Sequence, residues 1–128
     1  MSLLRPRVLV ADDHPEVVRA VCRLLAPDCE ILGTVADGGA LLEAAQRLAP
    51  DVVVLDLSLP SIPGLEACRQ LRQMNPTLKV VVFSAISDAE VSAALIAAGA
   101  SAFVSKLASA DLVATIRRLC AEPPSGSR

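Results

Sequence analysis

Tryptophan and tyrosine are missing from this 128-residue chain, and phenylalanine occurs only twice. With so few rings, the bases of a single nucleic-acid strand or a flavin have little to stack on. An excess of one charge is missing too. Twelve basic against fourteen acidic residues leave a net charge of −2 and a pI near 5.3, whereas a footprint made for DNA phosphates is basic. No apolar run approaches the ~20 residues that span a bilayer. The opening Met1-Ser2-Leu3-Leu4-Arg5-Pro6-Arg7 is too short and too quickly charged for a secretory signal. The chain therefore reads as cytoplasmic, binding neither membrane nor nucleic acid by itself. Cysteine is present (Cys22, Cys29, Cys68, Cys120), but never as Cys-x-x-Cys. Metal-ligand spacing is thus absent, and the four read as small apolar residues in a reducing compartment. The single histidine, His14, lacks the partners that a zinc site needs.

What is present is the apolar material of one ordinary domain: 53% hydrophobic residues, chiefly Ala, Leu and Val, with a mean hydropathy of +0.53. Five short apolar runs alternate with helix-like stretches. The runs are Val8 to Ala11, Ile31 to Ala36, Val52 to Leu55, Val80 to Phe83, and Ala102 to Val104. The first, third and fourth are continuous and Val-rich, as in strands covered by helices on both faces. The second is broken by Gly33 and Thr34, and the fifth is short and flanked by Ser101 and Ser105, so both read as outer strands.

Between the runs, apolar residues recur every three or four positions and mark helices. One follows Pro15, one follows Asp37 and stops at Pro50, and one follows Gly64 and ends before Pro76. A fourth begins at the capping box Ser87-Asp88-Ala89-Glu90 and closes at Gly99, and a fifth carries Leu112 to Leu119. The order βαβαβαβαβα, with right-handed crossovers, makes a parallel sheet sandwiched between helices. Residues 1–121 are read as one domain and 122–128, with two Pro, two Ser and a Gly, as a tail or linker start.

Ligands of such sheets bind beyond the carboxyl ends of the strands. There the first strand delivers Asp12 and Asp13, the third Asp56 and the fourth Ser84, and Lys106 follows the fifth. Taken singly these residues are unremarkable: Asp12 or Asp13 reads as a helix cap, Asp56 as a turn starter, Ser84 as a loop residue and Lys106 as a surface charge. Their common address is the informative feature. If the first and third strands are neighbours, ~4.8 Å apart, their terminal carboxylates are close. Each like-charge pair near 4 Å costs roughly 4 kcal/mol at an effective dielectric of about 20. Lys106 cannot balance three negative charges, whereas Mg²⁺ among hard oxygen donors can. An Asp side chain in that setting is a candidate phosphoryl acceptor, with Lys106 and Ser84 holding the remaining oxygens.

With Val8-Leu9-Val10-Ala11-Asp12-Asp13-His14, Val54-Leu55-Asp56-Leu57-Ser58-Leu59-Pro60, Val82-Phe83-Ser84-Ala85 and Gly99 to Lys106, the sequence resembles the receiver domains of two-component response regulators. The match runs over about residues 5–121. Asp-Asp-His, and a Lys106 not followed by Pro, look most like the NarL/FixJ type. The resemblance implies a flavodoxin-like, CheY-like doubly wound (βα)5 sandwich with a five-stranded parallel sheet of order 2-1-3-4-5. Asp56 would accept a phosphoryl group from a histidine kinase or a phosphotransfer protein, not as an enzyme but with slow self-catalysed phosphorylation and dephosphorylation. Asp13 and Asp56 would bind Mg²⁺ directly, Ser58 through its backbone carbonyl and Asp12 largely through water. Lys106 would contact the phosphoryl oxygens. Ser84 would move toward the phosphate and Phe103 would turn inward, reshaping the surface of the fourth helix, fifth strand and fifth helix to recruit a partner or dimerise.

The output implied is transcriptional regulation through a DNA-binding domain following this one; the alternative is a stand-alone receiver acting through protein contacts. Four departures from the usual pattern stand out. Phe103 replaces the more frequent Tyr and so lacks its hydroxyl, Leu59 replaces Met, Ile86 would slow water attack on the acyl-phosphate, and Lys106-Leu107 lacks the Lys-Pro of other branches. A phosphatase of the haloacid dehalogenase type wants a second Asp where Ser58 stands, and a cobalamin module built on Asp12-x-His14 wants Gly where Val17 stands. A flavin carrier shares the fold but lacks its rings.

Overall fold

A computed structural model describes residues 5–85 and 88–121. Ile86, Ser87, the opening residues 1–4 and the tail 122–128 lie outside the described residues. The chain runs β1 (Arg7–Ala11), α1 (Pro15–Leu25), β2 (Glu30–Val35), α2 (Gly38–Leu48), β3 (Val52–Leu55), α3 (Gly64–Met74), β4 (Lys79–Ser84), α4 (Ala89–Ala98), β5 (Ala102–Ser105) and α5 (Ala110–Ala121), with a 3-10 turn at Lys106–Ala108. All strand pairs are parallel, and the sheet order is β2-β1-β3-β4-β5. The (βα)5 sandwich and its two outer strands are those expected.

The period-two alternation of each strand sorts its side chains into two cores. Leu9, Ala11, Val53, Leu55, Val80 and Val82 pack with Leu41 of α2, Cys68 and Leu71 of α3, and Leu95 of α4. Val8, Val10, Val52, Val54, Val81, Phe83 and Val104 pack on the opposite face with Val21 and Leu25 of α1 and Leu112, Ile116 and Leu119 of α5. Continuous Val runs suit this sheet because both faces are dry. Each such side chain contributes about 1.5–3 kcal/mol on full burial.

The helix ends follow local chemistry. Pro15 occupies the first turn of α1, where its missing N–H costs nothing. The Asp37 carboxylate accepts from Ala40 N at 2.8 Å and starts α2. At α4 the capping side chain is Asp88, accepting from Glu90 N at 2.8 Å and Val91 N at 3.2 Å. That is one residue past the Ser87 heading the expected capping box. The second run is not broken at Gly33-Thr34 but bulged: Val8 pairs with Ile31 and Leu9 with Gly33, leaving Leu32 as the extra residue.

Gly99 ends α4 with φ +125°, and a Cβ placed there would lie 2.5 Å from Arg72 Cγ. The Arg72 guanidinium cannot simply move aside, since it donates to the Gly99 carbonyl at 2.8 Å and the Pro76 carbonyl at 2.9 Å. Gly99→Ala is therefore expected to destabilise the domain by about 1–3 kcal/mol. Urea unfolding should show a lower midpoint at unchanged slope, and an unchanged midpoint would refute the assignment.

Candidate functional site

Strand register creates the site. Ala11 of β1 pairs with Leu55 of β3, so Asp12 and Asp56 come next on adjacent strands. The ladder continues into them, with Asp12 N donating to the Val35 carbonyl at 3.0 Å and Asp56 N to the Ala11 carbonyl at 2.9 Å. Both residues are held inside the rim, only 4% and 3% exposed, while Asp13 is exposed. Buried carboxylates need partners. The Ser58 hydroxyl donates to Asp56 Oδ2 at 2.8 Å, and the Ser58 N–H reaches Oδ1 at 3.3 Å. Asp56 therefore starts a turn and belongs to the site at once. Neither Asp12 nor Asp13 caps α1: the cap position is His14, which makes no side-chain capping bond.

Lys106 crosses from the far side. The Ser105 hydroxyl accepts from Leu107 N at 3.0 Å and sets the 3-10 turn, which no helix or strand pattern in the sequence marks. From there Lys106 Nζ lies 3.0 Å from Asp12 Oδ2 and 3.4 Å from Asp56 Oδ1, largely shielded from water. It also sits 5.8 Å from the Phe83 ring centroid, within reach of a cation–π attraction. Its stem borders a cleft of about 270 Å³ between α1 and the start of α5, lined by Val17, Val21, Leu24 and Phe83.

Ser84 continues the row of Val80 and Val82, on the face toward α3 and α4, and is buried. Phe103, paired in register with Val82, packs half-buried on that same face. The structure thus gathers Asp12, Asp13, Asp56, Ser58 and Lys106 at one rim. Ser84 and Phe103 lie one layer over, toward α4.

The histidine is where the sequence reading needs correcting. His14 Nδ1 lies 2.8 Å from Asp12 Oδ1, 3.2 Å from Asp13 Oδ1 and 3.6 Å from Asp56 Oδ2. Its partners are the carboxylates themselves, and ligand atoms of the four residues lie within 4.8 Å of one another. A search for His or Cys partners at fixed spacing overlooks this. The usable signal was proximity: the imidazole sits two residues after Asp12, and Pro15 biases the preceding residue to extended backbone, seen at φ −102° and ψ 108°. A bond from His14 N to Asp12 Oδ1 at 2.9 Å fixes the turn.

The charges respond to one another. Burial alone pushes the Asp12 carboxyl up, but hydrogen bonds from the His14 backbone and ring and the Lys106 ammonium outweigh it, holding the group below its ordinary 3.8. The hydrogen bond to Asp12, then the nearby Asp13 charge, raise His14 above its ordinary 6.5 against a smaller opposing desolvation.

A family model described as the response regulator receiver domain matches residues 8–117. The chain belongs to this family. Among relatives of the receiver domain, the response regulator GacA of Pseudomonas viridiflava is 38% identical over 114 residues, covering 87% of this chain and 53% of GacA. The chain thus spans about half the length of that relative. Among solved structures, the signal receiver domain of the putative response regulator NarL from Mycobacterium tuberculosis superposes with a TM-score of 0.88 at 26% identity, covering 94% of this chain and 99% of that one. The BeF3-activated DrrB receiver domain superposes with a TM-score of 0.83 at 27% identity, covering 93% and 100%. A NarL-like placement of this receiver domain agrees with these neighbours.

The shifts carry a sign. The raised His14 value contributes stability that is complete below pH 6.5 and is lost as pH rises through the raised value. The lowered Asp12 value contributes stability present above pH 3.8 and lost as pH falls through the lowered one. In the metal-free protein, the His14 imidazole should titrate by NMR with a midpoint above 6.5, moving down in Asp12→Asn. A wild-type midpoint at or below 6.5 would contradict the geometry.

Proposed function

We propose that this receiver domain accepts a phosphoryl group on Asp56 from the phosphohistidine of a histidine kinase or a phosphotransfer protein, and passes the change to its α4–β5–α5 surface. The observation carrying this reading is a buried Asp56 carboxylate within 3.4 Å of the Lys106 ammonium and 2.8 Å of the Ser58 hydroxyl, beside two further carboxylates. A carboxylate oxygen of Asp56 attacks phosphorus as the donor's P–N bond breaks, and the departing imidazole takes a proton. Lys106 already spans Asp12 and Asp56, so its ammonium meets an incoming phosphoryl oxygen with little reorganisation. The role is that of a phosphoacceptor with slow self-catalysed turnover.

The donor set suits Mg²⁺: hard oxygens, converging, with more negative charge than Lys106 can offset. Asp13, Asp56 and the Ser58 carbonyl would hold the ion, with Asp12 acting through water. Bound there, Mg²⁺ would neutralise phosphoryl oxygens and lower the repulsion that Asp56 presents to an anion.

For the response, Ser84 moves toward the phosphate and Phe103 takes the vacated space. Their shared face supports this pairing. The phosphoryl group biases the equilibrium only by binding one arrangement of Ser84 better than the other. The α4 helix next to them leaves Val91 and Ile96 exposed, which suits a surface that recruits a partner or a second receiver. We place the receiver at residues 1–121 with 122–128 as tail or linker, and assign the full protein to transcriptional regulation. No described helix is long and apolar enough to cross a membrane. The cytoplasm is the proposed compartment, in keeping with four free cysteines.

Acetyl phosphate with Mg²⁺ should add one phosphoryl group, read by intact mass. Asp56→Asn should abolish it, and Lys106→Ala should slow it by about 10²-fold or more. Phosphoryl incorporation persisting in Asp56→Asn would sink the assignment.

A further inference from the structure

Magnesium accounts for the carboxylates of this pocket but gives His14 no work, because Mg²⁺ takes oxygen and water and shuns imidazole. Yet the ring nitrogen is aimed inward. From Nδ1 the distances to Asp12 Oδ1, Asp13 Oδ1 and Asp56 Oδ2 are 2.8, 3.2 and 3.6 Å. Ligand atoms around one ion at ~2.1 Å stand roughly 3.0–3.4 Å apart, whether octahedral or tetrahedral. Asp13 Oδ1 and Asp56 Oδ2 stand near that spacing from Nδ1, the contact with Asp12 Oδ1 is a hydrogen bond, and ligand atoms of all four residues lie within 4.8 Å of one another.

Their support is independent of the ion. Pro15 and the bond from His14 N to Asp12 Oδ1 fix where the ring starts, and the Ser58 hydroxyl fixes Asp56. Lys106 lies on the far oxygen of Asp12, Oδ2 at 3.0 Å, leaving Oδ1 turned toward the imidazole. About half of the His14 side chain faces solvent, so an ion has an approach path.

We propose that His14 is a specificity-determining ligand: it gives the acidic pocket a nitrogen donor, so that this receiver domain prefers a borderline transition-metal dication to Mg²⁺. The inference rests on the metal-assisted reading above and deepens it. Asp13, Asp56 and the Ser58 carbonyl with one imidazole, and Asp12 through water as above, form a mixed oxygen–nitrogen set, in which affinity rises from Mn²⁺ through Co²⁺ to Ni²⁺. Oxygen-only sites follow the same order but suit Mg²⁺ and Mn²⁺ as well, and the imidazole nitrogen shifts the preference further toward the later metals. The imidazole must be neutral to coordinate, so the ion displaces the proton that Nδ1 otherwise shares with Asp12.

The test is calorimetric titration of untagged, metal-free full-length chain with Mg²⁺ and with Co²⁺ in mildly alkaline buffer, where imidazole is neutral. Wild type should bind Co²⁺ more tightly than Mg²⁺, and His14→Ala should lower the Co²⁺-to-Mg²⁺ affinity ratio by about tenfold or more. Pulsed EPR of the Mn²⁺ form should show imidazole nitrogen modulation that disappears in His14→Ala. An unchanged affinity ratio, or absent nitrogen modulation in wild type, overturns the inference even if Mg²⁺ binds and Asp56 is phosphorylated. Nitrogen-dependent Co²⁺ binding without phosphoryl incorporation sustains the inference and instead removes the phosphoacceptor reading. No binding of any of these ions to wild type overturns both.

Discussion

Two carboxylates on neighbouring strand ends, both almost closed off from water, are the constraint around which the rim is arranged. Parallel pairing of β1 with β3 leaves no choice: once Ala11 lies beside Leu55, Asp12 and Asp56 must follow together. Their repulsion, roughly 4 kcal/mol for a pair near 4 Å at moderate dielectric, is a standing cost of the fold. Lys106, the Ser58 hydroxyl and the His14 ring each answer part of it. None cancels it. Three carboxylates against Lys106 and a protonated His14 still leave one negative charge, and in the proposed function that imbalance is what a cation would answer.

The same constraint explains why the site straddles the sheet. Lys106 approaches over Phe83 and belongs to the α1–α5 side, where its stem borders an apolar cleft. Ser84 and Phe103 stand on the opposite side, toward α3 and α4. A phosphoryl group on Asp56 would touch both groups, but only one side offers a half-buried ring next to a helix with exposed apolar residues. The α1–α5 side has Leu25, Leu112 and Ile116 wholly buried beside that cleft. Leu41, Cys68 and Leu71 on the α3–α4 side are buried just as fully, so the sides differ in the ring and the exposed helix face, not in core packing. In the proposed mechanism the direction of the signal thus follows the half-buried Phe103 ring and the exposed apolar residues of α4, while its origin is electrostatic.

Much of this was readable in the residues. Val52 to Leu55 and Val80 to Phe83 are strands because a dry, two-sided sheet wants unbroken β-branched runs, and their ends carry the polar residues that the loops need. Asp37, Pro15 and Gly99 mark helix boundaries by chemistry that works locally. What escaped depends on three dimensions. The bulge at Leu32 reconciles the lengths of β1 and β2 and leaves no mark beyond Gly33. Ser61, with φ +80°, is held in that conformation because its hydroxyl accepts from Gly38 N at 3.0 Å and Gly39 N at 3.2 Å, an obligation set by a helix twenty residues away. The 3-10 turn that aims Lys106 depends on Ser105, whose part a sequence pattern does not announce.

His14 is the most instructive of these. Read along the chain, it is a lone imidazole with no ligand spacing around it, and discounting it follows from the rule that metal sites recur as patterned Cys and His. In space, one partner is two residues back, one is adjacent and the third arrives on another strand. Convergence at a sheet edge replaces periodic spacing as the organising device, because a parallel sheet assembles its ligands from separate strand ends instead of one helix face or loop. A histidine next to a strand-end carboxylate should therefore be weighed by where its strand leads. On that view the third residue of Asp12-Asp13-His14 is part of the pocket's electrostatics, and under the inference proposed above its nitrogen would weight the choice among cations.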